Sequence, residues 1–196
     1  MKKRKTAFII LTISYFLVTA ADLTLTFLAT PDLSLEGNPL VTTYKFGWAG
    51  LVAINVVTLI LYFIMARYAF IKYRAPESDE TEDIKRYLAD ITYGDPEKTS
   101  LGMWKWPKYW APQIACLCYS VTTALPFARV IVVIEWLLML NHVRAPLFFT
   151  VVAMFPLGRI DFFVAVILAW FLSGVWIRKE FLKNAERKEE EEKMNK

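Results

Sequence analysis

The chain is predicted to be all-α, a polytopic integral membrane helix bundle with about four transmembrane helices, the third kinked and the fourth broken. Three observations point there. Hydrophobic residues make up 56% of the 196 positions and mean hydropathy is +0.36, above the roughly 45–50% apolar content of soluble domains. Most of the charge falls in three blocks, Lys2–Lys5, Lys72–Lys108 and the stretch from Arg178 on. The runs between those blocks are long enough for about 20 apolar residues, the length needed to cross hydrocarbon about 30 Å thick.

The first span covers 6–30, behind the basic cluster Lys2, Lys3, Arg4 and Lys5. The apolar run continues past Ala20 and Ala21, the small residues that would mark a cleavage site, so it reads as a span and not as a removed leader. Pro31 ends it. Asn38-Pro39 has the form of a helix start, with Asn as cap and Pro in the first turn, which predicts a short helix from Pro39 to Lys45. The second span covers 46–73, with Trp48 and the tyrosines Tyr68 and Tyr73 at interface depth.

Residues 74–110 form a cytoplasmic loop. Within it Ser78–Thr92 is predicted as an amphipathic helix: Ser78 or Asp79 caps it, and Ile84, Tyr87, Leu88 and Ile91 share a face. Gly94 stops it. That apolar face is expected on the bundle or on the bilayer surface. Trp104-Lys-Trp-Pro-Lys-Tyr-Trp110 mixes rings with ammonium groups, as suits the headgroup layer. The same mixture occurs in single-strand nucleic-acid binders, but beside a membrane span it argues for lipid, and no nucleic-acid partner is expected.

The third span covers 111–140 and contains Pro126, which removes a backbone hydrogen bond and bends a helix. The fourth covers 147–177, broken at Pro156-Leu-Gly-Arg-Ile-Asp161. Residues 178–196 are a charged cytoplasmic tail, expected to be a polar helix. Lysine and arginine flank the loop, the tail and the N-terminus, whereas the two outer connections hold only Lys45 and Arg144. The positive-inside rule therefore puts both termini in the cytoplasm. The basic pI of about 9.0 has the same origin.

Charged side chains inside a bilayer cost about 2.5–3.5 kcal/mol each at a helix centre, so they face inward and pair. Asp22, Asn55, Arg129, Glu135, Arg159 and Asp161 all fall in the outer half or at the centre of their spans. The outer connections add Glu36, Asn38 and His142, while the inner half has no such set. A polar pocket opening away from the cytoplasm follows, with Thr26 sharing the face of Asp22 one turn on. Each of these ten residues is a candidate ligand contact. Each also has a plainer role: Asp22 as counter-ion of Arg129 or Arg159, Thr26 bonded to backbone, Asn38 as a cap, and His142 as an ordinary turn residue.

No metal is called for. His142 with Asp22 and Glu36 lacks any paired-His or HExxH spacing, and Cys116 and Cys118 point apart on a helix. Cys116, Arg129 and His142 follow the order of a membrane transpeptidase triad, but no nucleophile motif flanks the cysteine, which reads as a packing residue. No cofactor is indicated.

Asp22-Leu-Thr-Leu-Thr26 followed by Glu36-Gly-Asn38-Pro39-Leu40 resembles the signature of a family of small prokaryotic membrane proteins of unknown function. In that signature an Asp and a Thr lie near the end of one span and Glu-x-Asn-Pro precedes the next. The resemblance covers the first two spans, about Phe8 to Ile64. It implies a prokaryotic plasma membrane and a joint role for Asp22, Thr26, Glu36 and Asn38, and it carries no reaction.

Three functions stay open. One is binding or passage of a small polar ligand or ion, with a homo-oligomer expected because four spans are few for a transporter. A second is an accessory or scaffold subunit docked to a membrane partner protein. The third is a membrane-embedded hydrolase or transferase acting on a lipid or peptide, with Asp22 or Glu36 as base, His142 as proton carrier and an arginine as anion clamp.

Overall fold

A computed structural model describes residues 2–36, 41, 43–99, 106–142, 154 and 160–194. Four helices are long and apolar enough to cross a membrane. They are α1 (Lys2–Ala29), α2 (Gly47–Arg67), α4 (Ala111–Leu140) and α5 (Ile160–Met194), with the short α3 (Ile84–Tyr93) between the second and third. The protein is an all-α membrane bundle. α4 is its centre: α5 packs along one side of it and α1 along another, and α2 closes against both α1 and α4.

α1 ends where Pro31 cannot continue it. Asp32 then organises the turn, its Oδ1 accepting from the Ser34 N–H (3.1 Å), the Ser34 hydroxyl (2.8 Å) and the Thr30 hydroxyl (3.0 Å). Trp48 pins this turn to the start of α2 by donating from Nε1 to the Pro31 carbonyl at 2.7 Å. Only Val41 and 43–45 of the predicted Pro39–Lys45 helix are described; Val41 is helical and 43–44 form a turn.

The end of α2 widens into a π-helical turn, Tyr68–Lys72, closed by the Tyr73 N–H on the Tyr68 carbonyl at 2.8 Å. Pro126 sits in the middle of α4, whose helix continues through it. The carbonyl of Thr122, four residues earlier, would have bonded to the missing N–H. It accepts instead from the Tyr62 hydroxyl of α2 at 2.8 Å, which also lies 3.1 Å from the Leu11 carbonyl of α1. Tyr62 stacks on Tyr15 at 4.0 Å between centroids. Three helices are thus joined at the proline.

The amphipathic helix is shorter than its pattern predicts. It begins at Ile84, capped by Asp83, whose Oδ1 accepts from the Lys85 N–H at 2.7 Å, and not at Ser78 or Asp79. Residues 75–80 are instead held as a non-helical strap on α5, bent at Asp79. Asn184 donates to the Ser78 and Glu80 carbonyls (2.9 and 3.1 Å) and accepts from the Ser78 N–H (3.2 Å). These bonds give the backbone partners that a helix would otherwise have supplied, which is why the sequence pattern fails there. Gly94 ends α3 at φ +67. The buried face of α3, with Tyr87 and Ile91, lies on the bundle, Tyr87 edge-on to Phe181 of α5 at 5.5 Å.

α5 carries the fourth span and the tail as one unbroken helix from Ile160 to Met194. Its predicted break falls mostly on 156–159, outside the described residues. Where α5 leaves the apolar region, Glu180 accepts from Arg4 of α1 and from Lys183, both at 2.6 Å, and Arg4 also donates to the Tyr73 carbonyl at 3.1 Å. The start of α1, the tail portion of α5 and α3 therefore share one end of the bundle.

Candidate functional site

α1, α2 and α4 bring three polar side chains to one point. Arg129 donates from Nη1 to Asp22 Oδ2 at 2.7 Å and from Nη2 to Asn55 Oδ1 at 2.5 Å. Asp22 is 7% and Asn55 6% exposed, so both bonds are made away from solvent, where charge-assisted hydrogen bonds are strong. Asn55 Nδ2 donates back to the Leu51 carbonyl at 2.8 Å, which sets the amide with its oxygen toward the guanidinium. The Arg129 guanidinium also lies 6.0 Å from the Tyr15 ring centre, on the tyrosine already stacked against Tyr62.

This knot forms part of the wall of a cavity of about 590 Å³, within the 300–1,000 Å³ usual for small-molecule sites. Asp22 and Thr26 come from α1, Glu36 from the turn after it, and Asn55 from α2. Arg129 and Glu135 come from α4, and Asp161 from the first turn of α5. The rest of the wall is largely apolar, with Leu51, Ile54, Val132, Trp136 and Phe162 among its members. Glu135 is six residues beyond Arg129 on α4, about 9 Å farther from the α3 end by helical rise.

Seven of the ten candidates from the sequence therefore line one hollow. Within it Thr26 has the plainer role, its hydroxyl donating to the Asp22 carbonyl at 2.8 Å, and Asp22 is the counter-ion of Arg129. His142 is not part of the cavity lining. It sits exposed on the turn after α4 at φ +50, its N–H on the Met139 carbonyl at 3.1 Å. Asn38 and Arg159 lie outside the described residues.

Reading polar residues alone misses Tyr15 and Trp136. A ring recurring on an apolar helix looks like packing, and only the cavity distinguishes these two, with Phe162, from the other aromatics. Among the described residues no three His, Cys, Asp or Glu side chains gather closely enough to hold a metal ion.

No family model, curated protein or solved structure matches the chain.

Proposed function

We propose that the protein binds, or passes, a small polar ligand or ion in the cavity between α1, α2, α4 and α5. The observation that carries this reading is the convergence of Asp22, Glu36, Asn55, Arg129, Glu135 and Asp161 on one hollow of about 590 Å³. Intramembrane ionisable groups used only as glue need a partner, not a space between them. The basic flanks put the α3 end and both termini in the cytoplasm, so the hollow serves the opposite, outer side. The shared family signature is consistent with this reading, since Asp22, Thr26 and Glu36 all line the hollow. By the same resemblance the host membrane is a prokaryotic plasma membrane.

The accessory-subunit reading is weaker, because α3 and the strap are already folded onto α5. The enzyme reading loses its proton carrier with His142 outside the lining.

The test uses the full chain with Cys116→Ala and Cys118→Ala, and single cysteines at Val132, Ala165, Thr43 or Thr99. A membrane-impermeant maleimide applied to intact cells is expected to label Thr43→Cys, Val132→Cys and Ala165→Cys. Thr99→Cys is expected to react only after permeabilisation. Cavity positions that resist the reagent from both sides, or that react only from the Thr99 side, overturn the reading.

A further inference from the structure

A second cavity, of about 250 Å³, lies at the α3 end of the bundle, apart from the outer hollow. Leu88, Ala89 and Thr92 of α3, Pro112 and Cys116 of α4 and Trp176 of α5 make most of its wall. Thr92 holds α3 against the start of α4: its hydroxyl accepts from Gln113 Nε2 at 3.0 Å and its carbonyl from the Tyr109 N–H at 3.0 Å.

The polar part of this lining is basic and incompletely bonded. Lys85 and Lys98 border the cavity, and among the described residues no carboxylate does. Lys98 is bonded to Asp95 at 3.0 Å, with its side chain 42% exposed. Lys85 is exposed and makes no ion pair among the described residues. Gln113 Oε1 also belongs to the lining and is buried with no hydrogen-bond partner. A buried acceptor without a donor is costly, and a ligand hydroxyl would answer it.

The place of the cavity in the bilayer follows from its neighbours. Trp106, Tyr109 and Trp110, just before α4, are all exposed, and amphipathic rings of this kind sit at headgroup depth. Pro112 and Gln113 follow Trp110 by two and three residues, about 3–5 Å by helical rise. Beyond them Ile114 and Leu117 of α4 are exposed and apolar. The cavity thus stands where headgroups give way to acyl chains.

We infer that it is a binding site for one anionic phospholipid with hydroxyl groups in its head, of the phosphatidylglycerol type, taken from the leaflet on the α3 side. The phosphate is held by Lys85, with a smaller contribution from Lys98, which Asp95 already engages. A head hydroxyl donates to Gln113 Oε1, and the chains leave over Ile114 and Leu117. Basic residues beside a membrane attract anionic lipid in general. The apolar wall and the buried acceptor are what would make this a site for a single molecule.

The test is native mass spectrometry of the full chain released from detergent micelles, with dioleoyl phosphatidylglycerol, phosphatidylmethanol (an anion with no hydroxyl) or phosphatidylcholine added. One phosphatidylglycerol per chain is expected to bind about fivefold or more tighter than phosphatidylcholine, with phosphatidylmethanol between them. Lys85→Gln is expected to weaken phosphatidylglycerol by about fivefold and leave phosphatidylcholine unchanged. Lys72→Gln, at an exposed lysine outside the lining, is expected to change neither. Gln113→Leu is expected to bring phosphatidylglycerol down to the level of phosphatidylmethanol. Equal retention of phosphatidylglycerol and phosphatidylcholine overturns the inference, as do equal effects of Lys85→Gln and Lys72→Gln. Equal binding of phosphatidylglycerol and phosphatidylmethanol by the unaltered chain also overturns it, and so does displacement of the lipid by glycerol 1-phosphate, which would make a soluble phosphoester the ligand. None of these outcomes touches the outer hollow, whose maleimide test stands by itself.

Discussion

Pro126 shows how a single residue sets a requirement that another helix meets. Its missing N–H leaves the Thr122 carbonyl without its helical donor inside a membrane, where no bulk water replaces it. Tyr62 supplies the donor at 2.8 Å and is itself only 2% exposed. Tyr62→Phe should therefore destabilise the protein by about 1–3 kcal/mol, the cost of a stranded buried acceptor. The same change made together with Pro126→Ala should cost clearly less, because the alanine N–H restores the i→i−4 bond. Unfolding titrations in mixed micelles on the two single variants and the double variant check this. Equal losses from Tyr62→Phe in both backgrounds would show that the hydroxyl and the proline are uncoupled.

Among the elements, the strap 75–80 and the tail portion of α5 illustrate which contacts matter. Arg187 lies 3.2 Å from Glu77 and Lys188 2.9 Å from Asp79, and the Lys188 ammonium holds the Asp79 carboxyl below its ordinary range. That contribution is present above the ordinary carboxylate value and is lost as pH falls through the depressed one. The Asp79 side chain is fully exposed, so water screens the pair and its effect is small. Asn184, 3% exposed, instead satisfies three backbone groups of the strap. Asn184→Ala should accordingly release the strap at a cost of about 1–3 kcal/mol, read as faster proteolysis within 74–83, whereas Lys188→Ala should change the cleavage rate little. The reverse ranking would make the ion pairs the fastening.

At the scale of the molecule, α5 is fastened mainly through α4, whereas α1, α2 and α4 are locked to one another by the Arg129 knot and by Tyr62. Removing one partner of a buried pair leaves the other charge uncompensated, at a cost of about 3–5 kcal/mol. Arg129→Met should approach that figure, and Asp22→Asn combined with Arg129→Met should recover most of it, since no lone charge then remains. Thermal unfolding of both variants in detergent gives the answer; a double variant no more stable than Arg129→Met would mean that the pair does not tie the bundle together.

The four spans were legible in the chain because the bilayer imposes a length and a polarity on each segment whatever its neighbours are. The boundaries of 111–140 are those of α4, and 46–73 ends one residue past the π turn. The gathering of Asp22, Asn55, Arg129, Glu135 and Asp161 at one hollow was legible for the same reason: a polar group inside hydrocarbon shows up against an apolar background. Other features depended on contacts between distant segments. Nothing local told that Tyr62 would answer Pro126, that Asn184 would hold Ser78 outside a helix and so delay α3 to Ile84, or that Arg129 would bond to Asp22. His142 is outside the lining, on an exposed turn, in the plainer of the two roles its position allowed. Sequence alone determined a membrane bundle with charge gathered toward one side, because burial in lipid is decided segment by segment. Only the tertiary structure decided that Arg129 bonds to Asp22 and Asn55 and which side chains border the hollow, because that depends on how helices distant in sequence turn their faces when they pack.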